Sequence, residues 1–506
     1  MFRSTLIVSL LAALGSVVSF LNQLVLARLF GAGEQMDAYL LSVSIPVTFS
    51  SLLSGTLGYQ LVPALLQEKS VSASSEPLMN SLLWGLGGIA SFVALLGMTN
   101  AEWLIHTLNP NTSAMQLTLP VKLARIVWLF FPLSVLCAIY TAGLHVKGRF
   151  AAATILPIAP ICGSIIVCLM GHMRWGVETV VWGQLLGYVI MLAGLRLAHG
   201  DSSIGYNWKG MSGLLGKIPM TGAALIIFSI YPFSDAIWGS RIGPAAVSYF
   251  GYAQRLIVGF SGLAVVGATT VIFPRLARQA AEGKHDSMRE DLGLSLRVML
   301  VCMAPAAALF AVGALPTLQV LFQRGAFSLA DANSMAGLLP FMLVGMVAMS
   351  CMGLVFKALF ARGELRAAVG ISVLGATLYF ALSGLLVDKL GVAGVGLAYA
   401  LSWWLTFGLG IIHIWRGELD TQTIRNNLVF AIRLTIGVLL TVFIGWLGGK
   451  FLPPADSEND IERLLVLVGT AISAIGFYLV IGNGPLALSE VRFIKQKIFR
   501  AQIIRS

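Results

Sequence analysis

The sequence predicts an all-α polytopic membrane protein with about fourteen transmembrane helices, arranged as two parallel six-helix lobes plus two C-terminal helices. Four observations predict it. Of the 506 residues, 57% are hydrophobic and 11% charged, with a mean hydropathy of +0.86, whereas globular domains run near 25% charged. Apolar stretches of about 20 residues, the length that carries a helix across the hydrocarbon core, recur along the whole chain. The alternating pattern of a membrane β-barrel is absent. Finally, stretches of the chain resemble others about 210 residues further on, as internal repeats of transporters do.

The first span centres near Leu11 and opens with "MFRSTLIVSLLAALGS". Arg3, an apolar run and small residues have the form of a signal peptide, but so many later spans favour an uncleaved helix. Spans two to six centre near Phe49, Ala90, Leu133, Ile161 and Leu186. Spans seven to twelve centre near Ala224, Leu263, Ala306, Val344, Gly375 and Leu401, and the last two near Val438 and Ile472. An even number of spans leaves both termini on one side. Cytoplasmic termini place most of the 33 Lys and Arg in inside loops and tails, among them "HVKGR" (His145–Arg149) and "RFIKQKIFRAQIIR" (Arg492–Arg505). That bias satisfies the positive-inside rule. The net charge of +11 is therefore a topology signal, and no nucleic-acid partner is expected.

Two pairs of segments carry the repeat. "RLFGAGEQMDAYLL", from Arg28, matches "RIGPAAVSYFGYAQR", from Arg241, and "LHVKGRFAAA" (Leu144–Ala153) matches "LFARGELRAA" (Leu359–Ala368). Six-helix units return the chain to its starting side, so the copies run parallel about an axis along the membrane normal. The expected division is an N-lobe over 1–205, a C-lobe over 206–418, two unmatched helices over 419–485 and a basic tail over 486–506. The tail puts Val491, Ile494, Ile498 and Ala501 on one helical face. It reads as an amphipathic helix on the cytoplasmic surface or as a solvated basic tail.

A charge at the centre of a lipid-facing helix costs about 2.5–3.5 kcal/mol on insertion scales, so such groups usually face a bundle interior or cavity. Asp37, Lys122, Arg125, Asp235 and Arg255 are the candidates. Asp235 follows Pro232, which can break or kink a helix. For Asp37, Lys122 and Arg125 the competing reading is snorkelling near a helix end. Inward-facing bases suit an anionic solute, and Arg suits a phosphate because its planar fork donates two hydrogen bonds at once. The sequence has no P-loop, no G-x-S-x-G, no H-E-x-x-H and no dinucleotide fingerprint in a strand–helix setting. The six histidines lack metal spacing, and Cys137, Cys162, Cys168, Cys302 and Cys351 fall inside spans without disulfide or zinc spacing. A transporter without a cofactor, not an enzyme, is expected. Its energy would come from a coupling ion, the membrane potential or consumption of product.

"LARLFGAGEQMDAYLLSVSIP", "YAQRLIVGFSGLAVVGATTVIFPRLARQ" and "LQVLFQRGAFSLADA" (Leu318–Ala332) resemble the MurJ/MviN lipid II flippases of the multidrug/oligosaccharidyl-lipid/polysaccharide exporter superfamily. The resemblance spans most of the chain and implies fourteen helices, two of them forming a groove for a lipid tail. It implies a flippase that moves a polyprenyl-diphosphate-linked oligosaccharide from the cytoplasmic to the periplasmic leaflet of the bacterial inner membrane, working as a monomer. By that resemblance Arg255 and Asp37 fall on positions that matter for transport, and Asp37, with Arg28, belongs to the outer gate.

Three cavity arginines of the family correspond here to Ser16, Asn22 and Ser50, with Lys122 or Arg125 as possible replacements. This difference favours an exopolysaccharide or O-antigen repeat unit over lipid II itself. Other expectations are a cation-coupled drug exporter of the same superfamily, which calls for a more acidic, aromatic-lined cavity, and a non-transporting scaffold. A membrane glycan polymerase or acyltransferase would need a catalytic His or carboxylates near a long outer loop, where Asn100–Pro120 offers only Glu102 and His106.

Overall fold

The computed structural model describes residues 2–72, 74–109, 114–200, 205–216, 218–416, 421–451 and 460–483. Among them every regular element is helical. The chain begins with α1 (Phe2–Phe30), α2 (Glu34–Ser72), α3 (Glu76–Thr99), α4 (Ala101–Leu108), α5 (Ala114–Val127) and α6 (Phe130–Val146). It continues with α7 (Phe150–Ile155), a 3-10 turn at Leu156–Ile158, α8 (Ala159–Trp175), α9 (Glu178–His199) and the short α10 (Trp208–Leu215). Then come α11 (Ile218–Ile242), α12 (Ala246–Ala281), α13 (His285–Val312), α14 (Ala314–Phe322) and α15 (Leu329–Ala361). The last four are α16 (Leu365–Leu390), α17 (Val392–Ile414), α18 (Thr421–Gly449) and α19 (Asp460–Asn483).

Eleven helical segments among the described residues are long and apolar enough to cross a membrane, fewer than the fourteen expected. Expected spans seven, eight and fourteen fall on α11, α12 and α19. In α19 the apolar stretch among the described side chains is Leu465–Val480. Pro232 does not break its helix, since α11 runs through it from Ile218 to Ile242. The tail 486–506 lies outside the described residues.

The helices group into two compact units, Met1–Tyr252 with Arg324–Ser328, and Ala253–Gln323 with Leu329–Ser506. This grouping follows packing and divides inside α12, whereas the lobes read from the repeat divide at 205/206. The first unit is centred on α2, α3, α6 and α9, which bury Leu61, Leu65, Leu82, Val135, Ile139 and Leu195. Lipid is as apolar as leucine, so close approach of backbones carries much of helix association in a membrane. Gly183 and Gly187 of α9 supply it: a Cβ on Gly183 would stand 2.4 Å from the Gly163 carbonyl oxygen, and one on Gly187 2.3 Å from Pro160 Cα. In the second unit α15 packs on α13 and α17. There Tyr399 stacks edge-on with Tyr379 and Trp403, with centroids 6.2 and 6.3 Å apart.

The turns after α6 and α15 are built alike. Gly148 (φ +73°) and Gly363 (φ +72°) both take the left-handed conformation, which a residue without Cβ adopts freely. Arg149 N–H reaches back to the Leu144 carbonyl at 2.9 Å, and Glu364 N–H to that of Leu359 at 2.9 Å. This is a helix stop with a six-residue back-bond, made twice by the two segments matched in sequence.

Candidate functional site

The α1–α2 connection is only Gly31 to Gly33, and Asp37 stands on the first turn of α2. Across from it, α11 ends at Ile242 and the chain turns through Ala245, whose φ is +69°, into α12. The first amides of any helix have no intrahelical acceptor. Asp37 supplies one from another element. Its carboxylate accepts from Ala245 N–H at 2.6 Å and from Ser248 N–H at 2.8 Å, and also from the Ser248 hydroxyl. A carboxylate is also favoured at the positive end of the helix dipole.

Around this cap the backbones close up. Tyr252 Oη donates to the Gly31 carbonyl at 2.9 Å, and Ala326 N–H to the Arg28 carbonyl at 3.0 Å. The Tyr252 ring meets Phe327 edge-on at 5.9 Å. Gly31 (φ +61°) and Gly325 (φ +65°) make the approach possible. A Cβ on Gly31 would lie 2.2 Å from the Ala326 oxygen, and one on Gly325 2.2 Å from the Arg28 oxygen. Further along α2, Thr48 Oγ1 donates to the Ser229 carbonyl of α11 at 3.1 Å, and Ser51 Oγ to Ser229 Oγ at 3.2 Å.

The expected site residues are distributed as follows. Asp37 and Arg28 meet at the junction, where Arg28 takes part through its carbonyl while its side chain is exposed. Asp235 is buried on α11, 6% exposed. Asn22, also 6% exposed, and the half-buried Ser50 have oxygens, Oδ1 and Oγ, without a hydrogen-bond partner among the described residues. Ser16 is exposed and bonds back along its own helix, to Ala12 O at 3.2 Å. Lys122 is exposed and pairs with Glu178 at 2.6 Å, so α5 is tied to the start of α9 there. Arg125, one turn on, is exposed as well. Arg255 is half-buried on α12, in the second unit. Sequence reasoning did not single out Ser248, Tyr252, Gly31 or Gly325. All four stand in the quoted stretches, but their roles depend on partners remote in sequence. No group of three or more His, Cys, Asp or Glu among the described residues is placed to hold a metal ion.

Comparison with known proteins supplies the family. Residues 26–452 match the family model described as "Lipid II flippase MurJ". The "Probable lipid II flippase MurJ" of Buchnera aphidicola is 24% identical over 463 residues, 86% of this chain and 88% of that protein. The "Lipid II flippase MurJ" of Burkholderia cenocepacia is 23% identical over 419 residues, 79% of this chain and 80% of that one. Among solved structures, a lipid II flippase MurJ in an inward closed conformation superposes with TM-score 0.79 at 16% identity, covering 94% of this chain and 98% of its own. An inward-facing multidrug transporter of the MATE family, in the MOP superfamily, gives TM-score 0.64 at 13% identity, covering 79% and 94%. These two show the fold. With the family model matched over most of its length, this multi-pass, all-helical chain belongs to the MurJ lipid II flippase family, whose members are transporters and not catalysts of a chemical reaction.

Proposed function

We propose that this chain carries lipid II, a polyprenyl diphosphate bearing a sugar head group, from the cytoplasmic to the periplasmic leaflet by alternating access. The observation that carries the reading is the match of residues 26–452 to the lipid II flippase family. It weighs against the exopolysaccharide unit that Ser16, Asn22 and Ser50 had favoured. In this reading the lobes 1–205 and 206–418 rock about a central cavity, helices over 419–485 receive the lipid tail, and both termini are cytoplasmic. Arg255 meets the diphosphate, and Asp235 is a further substrate-binding residue. Asp37 belongs to the outer gate, because its cap fixes the entry into α12. Transport needs no cofactor and is driven by an ion gradient, the membrane potential or use of the product, in a monomer.

A second reading, a glycan-lipid flippase for surface polysaccharide, is favoured by one observation. Asn22 Oδ1 lacks a partner among the described residues; as an acceptor it suits a hydroxyl donor of a sugar better than a diphosphate. Complementation separates the two. Expression of this chain in a cell depleted of its lipid II flippase is expected to restore growth. Failure there, with recovery of surface polysaccharide in a strain lacking a polysaccharide flippase, would replace the first reading by the second.

A further inference from the structure

Two clusters of titratable side chains lie apart from the Asp37 junction, one in each unit, and they are made of the same parts. In the first unit, Glu76 at the start of α3 takes Lys147 Nζ at 2.8 Å and His199 Nε2 at 3.1 Å. Lys147 Nζ also donates to the His199 carbonyl at 3.1 Å, and Arg149 donates to the carbonyl of Ala198. His199 is 3% exposed, with Tyr140 edge-on to its ring at 5.7 Å. In the second unit, Glu364 binds Arg362 at 2.7 Å and His413 Nε2 at 2.9 Å. There Arg289 Nε donates to the carbonyl of Ile414 at 3.2 Å.

In outline the clusters correspond, with one exchange, although the carbonyl that the arginine takes precedes the histidine in the first, at Ala198, and follows it in the second, at Ile414. Lys147 and Arg362 stand just before the left-handed glycines of the two matched turns, and His199 and His413 stand in the last turns of α9 and α17. Glu364, however, occupies the place after the glycine that Arg149 holds in the first unit. The first unit's acid comes from α3, as Glu76, and the second unit's arginine comes from α13, as Arg289. Acid and arginine have traded elements.

We infer that these are two equivalent clamps with exchanged charges. Each fixes the glycine turn of its unit to the end of α9 or α17, and Glu76, His199, Glu364 and His413 are positioning residues for transport. The physical requirement is the same in both. Helix-end carbonyls lack intrahelical donors and carry partial negative charge, so a guanidinium is stabilising there. The carboxylate, buried at Glu76 and half-buried at Glu364, needs a cation and further hydrogen bonds, most strictly where it is buried, and the loop base and the imidazole supply them. Neither requirement fixes which element carries which sign. The exchange does fix the pairing: a turn bearing Arg149 fits an acidic α3, a turn bearing Glu364 fits a basic α13, and the crossed pairings set like charges together. The clamps stand at the ends of α9 and α17, which lead on to α10 and α18. The inference holds whichever lipid is carried.

The test is a charge exchange within the second unit of the full-length chain in membranes, comparing Arg289→Glu, Glu364→Arg and the double variant. Each single reversal is expected to raise amide hydrogen exchange in the turn Leu359–Ala368 by about tenfold, the usual size of coupling in a shared network. The double variant, which reproduces the first unit's charges at these two positions and loses the ion pair of Arg289 with the exposed Asp286, is expected to return most of that protection and whatever transport the singles lose. The mirrored pair, Glu76→Arg with Arg149→Glu, is expected to behave likewise at Leu144–Ala153. Where the singles fail to accumulate, recovery of membrane abundance in the doubles supports the clamps. Doubles that lose protection as the product of the singles, or that fail to accumulate as the singles do, overturn them.

Discussion

Asp37 and Ser248 are joined twice, by the Ser248 amide at 2.8 Å and by its hydroxyl, both donating to one carboxylate oxygen of Asp37. The other oxygen takes the Ala245 amide at 2.6 Å. An acid at the head of an apolar second span is thus the N-terminal cap of a helix more than 200 residues away in sequence. Loss of such a cap costs about 0.5–2 kcal/mol. Asp37→Ala is expected to lower the melting temperature of the purified protein and to reduce transport. Ser248→Ala, which keeps the amide bond, is expected to do less of both. Equal melting of Asp37→Ala and the parent chain would remove the cap from the account.

The glycines beside that cap differ sharply in what they tolerate. Gly31→Ala and Gly325→Ala each place a Cβ 2.2 Å from a backbone oxygen in a left-handed conformation, so the chain must move. Gly33 has nothing within 4 Å of a Cβ. Gly31→Ala and Gly325→Ala are expected to destabilise by at least about 1–3 kcal/mol, and Gly33→Ala to sit within about 0.5 kcal/mol of the parent. Thermal melting in detergent, with membrane abundance alongside, ranks the three.

Arg255 tests the anion site. Arg255→Ala is expected to abolish transport while leaving abundance and melting unchanged, and Arg255→Lys to recover part of it, because lysine keeps the charge but not the two-pronged geometry. Complementation of growth with a parallel immunoblot decides the matter. Normal growth with Arg255→Ala would move the diphosphate elsewhere.

Orientation is open to labelling. Tags at Asn111 and Asp456 are expected to react with an impermeant reagent from outside, and tags at Gly283 and after Ser506 only after the membrane is opened. A tag after Ser506 that reacts from outside would break the even-span topology and the parallel repeat with it.

The sequence alone determined what local chemistry decides. An apolar excess that only lipid can accommodate made the chain helical and membrane-spanning, because every backbone group must be satisfied within its own segment there. The matched turns at Gly148 and Gly363 were legible for the same reason, since a helix stop is written in a few consecutive residues. Pairing was not legible. Asp37 has no local sign that its partner is Ser248, and Lys122, one turn from Arg125, gives no hint of Glu178. His199 is one of six histidines without metal spacing, yet it is buried against Glu76. The exchange of acid and arginine between the two clamps is invisible in the repeat, where it looks like divergence at single positions. Such contacts join groups 50 to more than 200 residues apart, and only the packing of helices into a common unit decides which acid meets which base.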